Sequence, residues 1–180
     1  MFPKSGQALR QKQKVNMDFQ VGDQVVHASF GPGKIVQLDE KVLSGRKCRY
    51  YVVQIKDLTL YVPVNESAKS TLRSPTPAKE FRKMIRILNS DGEALSENRL
   101  ERKAQLTQVL RDGTLQSVCR VIRDLIHYSR TKKLSETDAA LLERAKNFLL
   151  TEWQVSLSVP YSQAEQELRQ LLTESRNKSE

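Results

Sequence analysis

Residues 18–38, DFQVGDQVVHASFGPGKIVQL, constrain the fold more than any other stretch, because two apolar-alternating runs meet there at a Gly-Pro-Gly turn. The β-branched Val21, Val25, Ile35 and Val36 bracket Gly22-Asp23 and Gly31-Pro32-Gly33. That composition predicts a tightly turned antiparallel pair of strands.

The same pattern continues to about Leu72. FQVGDQVVHA, GKIVQLDEKVL, RKCRYYVVQIK and LTLYVPV each read as a strand, separated by turns at Gly31-Pro32-Gly33, Ser44-Gly45-Arg46 and Lys56-Asp57. Connections this short force antiparallel neighbours, and bends at Gly22 and Gly33 favour curling into a small barrel. A domain of this size resembles the SH3-like and Tudor-like barrels. Its outer edge strand is expected to be open to pairing with another protein's sheet.

Ser74-Pro75-Thr76-Pro77 ends the strand pattern, since each proline fixes extended backbone and lacks an N–H. Beyond it the apolar period becomes helical. Phe81, Met84, Ile85 and Leu88 predict one helix, and Leu100, Ala104, Leu106, Val109 and Leu110 a second, stopped by Asp112-Gly113. Thr114 is placed to cap a third, with an apolar stripe of Leu115, Val118, Cys119, Ile122, Leu125 and Ile126. Ser135 and Asp138 have capping-box spacing ahead of Leu141, Leu142, Ala145, Phe148, Leu149 and a core Trp153. After Pro160, Ser162 and Glu165 repeat that spacing before Leu168, Leu171 and Leu172. The expectation is an α+β chain: a basic disordered tail over 1–16, a β domain over 17–73, a Pro linker over 74–77, a compact five-helix domain over 78–175, and a short disordered tail over 176–180.

Charge divides the halves. The net charge of +9 resolves into +4 over residues 1–17, 0 over 18–68, +6 over 69–130 and −1 over 131–180. A neutral β domain ahead of a basic helical one points to a polyanion or an acidic surface as partner of the helices. Enzymatic constellations are missing: His27 and His127 have no Cys, Ser or carboxylate at triad or metal-cage spacing, and the Gly-Pro-Gly turn lacks the Lys-Ser/Thr of a phosphate loop. Cys48 and Cys119 form no disulfide framework, and no stretch has the length and apolarity of a membrane span. Binding rather than catalysis is expected, with no cofactor, no metal and a cytoplasmic location. Arg99, Arg102 and Lys103 lie three and four apart, hence on one helical face, and Arg123 and Arg130 lie seven apart. That alignment makes them candidate phosphate contacts without sequence-specific reading.

Taken together, FQVGDQVVHASFGPGKI, YYVVQI, LTLYVPV, VCRVIRDL and LSETDAALLERAKNFLLTE resemble the CarD/CdnL family of bacterial transcription regulators, over about residues 18–155. The VGDxVV, GxGxI and VP pieces mark the polymerase-interacting domain shared with transcription-repair coupling factor, and VxRVIRDL followed by LSxxDxxLLxxA marks the helical domain. The resemblance implies that the β domain docks on the RNA polymerase β subunit by extending its sheet. The helical domain is thereby held against promoter DNA at the upstream edge of the bubble, where it stabilises the melted complex. Lys41, Arg49, Tyr51 and Tyr61 are the implied polymerase-binding residues, with Tyr61 where the family often carries Arg. Asn98, Arg99, Arg102, Lys103, Arg123 and Arg130 are the implied DNA contacts, with Asn98 where family members often carry a Trp wedged into the minor groove.

Two further readings stay open. One is an adaptor on polymerase whose helices contact protein rather than DNA, a reading that gains if Glu97 and Glu101 break up the basic face. The other, an RNA-binding barrel, is disfavoured by the neutral β domain. The 1–16 segment would add positive charge close to the polymerase.

Overall fold

The computed structural model describes residues 19–43, 45–65 and 71–177. Among them, five strands form one antiparallel sheet: β1 (Gln24–His27), β2 (Gly31–Leu43), β3 (Arg46–Ile55), β4 (Leu58–Pro63) and β5 (Leu72–Arg73). Their order is β4-β3-β2-β1-β5, so this is the small Tudor-like β domain in an open form, with β4 and β5 at its edges. Leu72 and Arg73 add a strand the sequence pattern does not announce, pairing with His27 and Val26.

The long β2 serves both sides of the sheet because it bends. Its first residues pair with β1 and the remainder with β3, and the register shifts between Ile35 and Gln37. The extra residue, Val36, is turned outward at that bulge. Gly33 is obligatory at the bend, since a Cβ there would sit 2.5 Å from Ile55 Cγ1 and 2.6 Å from the Gln54 carbonyl oxygen. Val25, Ile35, Tyr51, Val53, Ile55, Val62, Val64 and Leu72 fill the concave side, and Phe19 closes it edge-on against Tyr51 with ring centres 5.9 Å apart.

Five α-helices follow among the described residues: α1 (Ala78–Met84), α2 (Arg99–Val109), α3 (Leu115–Thr131), α4 (Glu136–Leu157) and α5 (Tyr161–Asn177). Short 3-10 turns over Ile85–Asn89 and Leu110–Asp112 extend α1 and α2. Thr114 caps α3 by accepting from the Ser117 N–H, and Ser135 with Asp138 forms a complete capping box on α4. Ser162 differs from its expected role: α5 already begins at Tyr161, so Ser162 lies inside the first turn. That helix reaches Asn177, past the expected boundary at 175, and the expected 1–16 tail and the last residues of the chain lie outside the described residues. The helices pack around α3, whose Val118, Cys119, Val121, Ile122 and Leu125 are buried with Phe81, Leu149 and Trp153. Trp153 is fully enclosed and meets Phe81 edge-on at 5.3 Å, so its role is core packing. Among the described residues no helix is long and apolar enough to cross a membrane.

One buried carboxylate joins the two halves. Glu152 of α4, with no exposed surface, accepts from Arg73 Nη1 at 2.7 Å, Arg73 Nη2 at 2.8 Å, Thr76 Oγ1 at 2.6 Å and the Thr76 N–H at 3.1 Å. Arg73 Nε donates in turn to the Gly113 carbonyl at 3.1 Å. The last strand, the proline linker, the α2–α3 turn and α4 are therefore tied at one point. Close approach supports the joint: a Cβ on Gly113 would lie 2.5 Å from Ala28, and Arg144 donates to the Ser29 carbonyl at 2.8 Å.

Candidate functional site

The first candidate surface lies on the convex face of β2, β3 and β4. Residues opposed across an antiparallel ladder share a face, so the pairings Lys41↔Cys48, Asp39↔Tyr50↔Pro63 and Gln37↔Val52↔Tyr61 place Lys41, Tyr50 and Tyr61 together. Lys41 Nζ sits 3.7 Å from the centre of the Tyr61 ring, and the Tyr50 and Tyr61 rings meet edge-on at 6.5 Å. Tyr61 is 50% exposed, leaving this cation–aromatic cluster open to a partner.

The cluster borders β4, which among the described residues pairs only with β3. The Val64 N–H donates to the Arg49 carbonyl at 2.8 Å, and alternate residues of a ladder point the same way, so Val62 and Leu60 also face β3. Thr59, Tyr61 and Pro63 then turn their backbone outward, with Pro63 where its missing N–H costs the ladder nothing. Tyr61 thus offers both a ring and an open backbone position.

Two of the expected polymerase residues separate from this cluster. Tyr51 is 2% exposed, because the parity that turns Tyr50 outward turns its neighbour into the concave core; it is a core residue and not a contact. Arg49 is exposed but lies on Tyr51's side, beside Glu40 at 3.8 Å.

The second candidate surface is the start of α2. Asn98 is its N-cap, with Oδ1 accepting from the Leu100 N–H at 2.9 Å and the Glu101 N–H at 3.2 Å, so the side-chain oxygen is engaged within its own helix. Arg99 is exposed and donates to Thr137 Oγ1 at 2.6 Å, and Lys103 is exposed one turn on.

Arg102 corrects the expectation that it faces DNA. It is 3% exposed, donates through Nε and Nη2 to Asp138 Oδ2 at 3.1 and 2.7 Å, and reaches the Ser96 and Glu97 carbonyls and the Tyr128 hydroxyl through Nη1. The hydrogen bond to Asp138 raises the Arg102 pKa despite burial. Burial works against the Asp138 charge, but the bonds from Arg102 and Ser135 outweigh it and hold the carboxyl below its ordinary value. The pair locks the start of α2 to the start of α4.

Arg123 is likewise withdrawn: its side chain is 10% exposed and donates to Asp124, Ser90 and Glu93 at 2.7, 3.1 and 3.2 Å. Arg130 is half-buried. Arg99, Arg102, Lys103 and Arg123 therefore do not make one basic face. Glu97 forms an ion pair with Lys132, which lowers its pKa through that hydrogen bond, and Glu101 accepts from Ser96 Oγ at 2.7 Å.

Leu100, one of the apolar residues whose spacing predicts this helix, is 76% exposed, the highest value for a large apolar side chain among the described residues. Helical phase explains it: α2 turns Arg102 and Leu106 inward, and Leu100 lies about 200° from Arg102 at about 100° per residue. The burial of an arginine rather than a leucine hid this phase from the apolar pattern.

Comparison with known proteins bears on both surfaces. Residues 19–74 match the family described as the CarD-like/TRCF RID domain, and residues 83–169 match the family described as CarD, C-terminal domain. The chain is also 27% identical over 140 residues to the "Putative transcription factor YdeB" of Bacillus subtilis (strain 168), covering 76% of this chain and 91% of that relative.

Proposed function

Since the chain belongs to the CarD/CdnL family of transcription regulators, we propose that it tethers a helical DNA-contacting domain to RNA polymerase. The β domain docks on the polymerase β subunit through the β4 edge, adding a strand to the partner's sheet. Lys41 and Tyr61 flank that edge and supply a cationic and an aromatic contact. The observation that carries this reading is the exposed Lys41–Tyr61 cluster beside outward-turned backbone of an edge strand.

Docking fixes where the helical domain goes, because the Glu152 joint holds the halves in one orientation. The start of α2 then meets promoter DNA at the upstream edge of the bubble. Arg99 and Lys103 contact phosphates there, and exposed Leu100 gives an apolar side chain that can press against a widened minor groove in place of the family's Trp. The Asn98 amide nitrogen is available for a hydrogen bond while its oxygen caps the helix. Contacts made only with melted DNA lengthen the life of the open complex without reading sequence. The experiment is competitor-challenged open-complex decay with and without the protein: a longer half-life supports this function, and an unchanged one removes it.

Burial of Arg102 and Arg123 favours a second reading, the adaptor whose helices bind protein. Duplex binding by the full chain, steep in salt, separates the two.

A further inference from the structure

Arg102 and Arg123 are withdrawn into ion pairs, but other cations stay exposed on α1 and the 3-10 turn that extends it. Lys79, Arg82, Lys83 and Arg86 are all exposed, and at about 100° per residue they fall within roughly a 100° arc, with buried Phe81 on the opposite side. Lys83 pairs with Glu80 at 2.9 Å. Among the described residues Lys79, Arg82 and Arg86 have no acidic partner.

The row is longer than α1. Met84 lines a groove with Gln116, and Ser90 accepts from Arg123 at 3.1 Å, so the 3-10 turn between them runs beside the stretch of α3 that carries exposed Arg120. Asp91 and Glu93 follow the turn, and Glu93 faces Arg123. Lys79 and Arg82 lie between the two stretches that match known families, at 19–74 and 83–169.

We infer that Lys79, Arg82 and Arg86, with Arg120 beside them, form a second phosphate-binding face that extends the duplex footprint of the helical domain. The inference rests on the DNA-contact reading above and adds a distinct surface to it. Spacing carries the choice of DNA as partner. The row from Lys79 to Arg86 is about 10 Å long at 1.5 Å per residue, and duplex DNA offers a phosphate about every 3.4 Å along each strand. From Gln116, beside this row, to Tyr128, which stacks on Arg102 below the start of α2, is about 18 Å along α3. Two phosphate contacts that far apart fit within one turn of a single duplex. Two of the three unpaired cations are arginines, whose planar fork matches phosphate oxygens.

The test uses the full chain and two duplexes of unrelated sequence, with binding followed by fluorescence anisotropy across a salt series. The combined K79Q, R82Q and R86Q variant is expected to lower the slope of log K against log salt by about 2–3 on both duplexes, at about 0.9 per lost phosphate contact. Capture of the polymerase β lobe is expected to stay unchanged, and an R82K and R86K variant to keep the full slope. Should the triple variant fold poorly, R82Q and R86Q alone are each expected to remove about one unit. An unchanged slope overturns the inference, as does lost polymerase capture at unchanged slope, which makes the face a protein contact. A parallel R99Q and K103Q variant separates the two surfaces: a slope lowered only by it overturns the α1 face, and one lowered only by the α1 variant overturns the α2 contact and leaves this face standing.

Discussion

Removing the Glu152 carboxylate should loosen the tether more than its single position suggests. Glu152 has no exposed surface and satisfies four donors: two from Arg73, and the hydroxyl and N–H of Thr76. In Glu152→Ala those donors lose their acceptor, and the Arg73 side chain, 27% exposed, keeps a charge with no partner. Breaking a buried pair costs about 3–5 kcal/mol; partial exposure of Arg73 lets water recover some of that, leaving about 2–4 kcal/mol. For a chain of this length the melting temperature should fall by roughly 2–4 °C per kcal/mol, hence by about 4–16 °C. Urea denaturation of Glu152→Ala, Arg73→Met and the double variant measures the loss and the coupling. The double variant should lose less than the sum of the singles, because neither partner is left stranded. Additive losses, or a loss below about 1 kcal/mol for Glu152→Ala, would refute the view that this joint holds the halves together. Under the tether account Arg73→Met also shortens the open-complex effect while leaving capture of the β lobe intact.

Other consequences are local. Asp138 has a folded pKa below its unfolded value near 3.9, so its contribution is present above that pH and is lost as pH falls through the folded value; acid unfolding below about pH 4 should be steeper for the wild-type chain than for Asp138→Asn, and equal slopes would count against the Arg102–Asp138 pair. Asp138→Asn should also cost about 3 kcal/mol at pH 7 in urea melts, because Arg102 remains buried without its counter-ion. Burial, with the Glu152 charge adding to it, pushes the Cys119 thiol up to about 12, so native chain at pH 8 should react with a thiol reagent at Cys48 alone and at both cysteines in urea; rapid labelling of Cys119 in the folded chain would contradict the core assignment. Lys41→Glu with Tyr61→Ala should weaken capture of the β lobe at least tenfold without shifting the melting temperature, as both side chains are exposed, and undiminished capture would remove this docking face.

Much of the architecture was legible because it depends on local chemistry. The proline linker, the Gly113 stop and the Ser135–Asp138 cap each act over a few residues and appear where their spacing puts them, whereas the reversal expected at Gly31-Pro32-Gly33 lies just ahead of it, at residues 28–30, and the Gly-Pro-Gly residues pair with β1 as the first rungs of β2. The site was less legible because it depends on phase. Whether Tyr50 or Tyr51 faces outward follows from the register of β3, and whether Arg102 or Leu100 faces inward follows from the rotation of α2. Counting apolar residues gives the wrong answer where an arginine with a carboxylate partner takes an inward position. The joint between Arg73 and Glu152 spans 79 positions, so no local pattern could announce it. The α1 cations, by contrast, stand at a helical spacing that the sequence shows directly.

On the tether reading the chain holds a DNA-contacting face against the upstream fork while bound to polymerase. The direct measurement is the half-life of a competitor-challenged promoter open complex at saturating protein, for the wild-type chain and for the Lys41→Glu, Tyr61→Ala variant. The half-life should lengthen with the wild-type chain and return to the protein-free value with the variant. An unchanged half-life with the wild-type chain, or full lengthening by the variant, would contradict it.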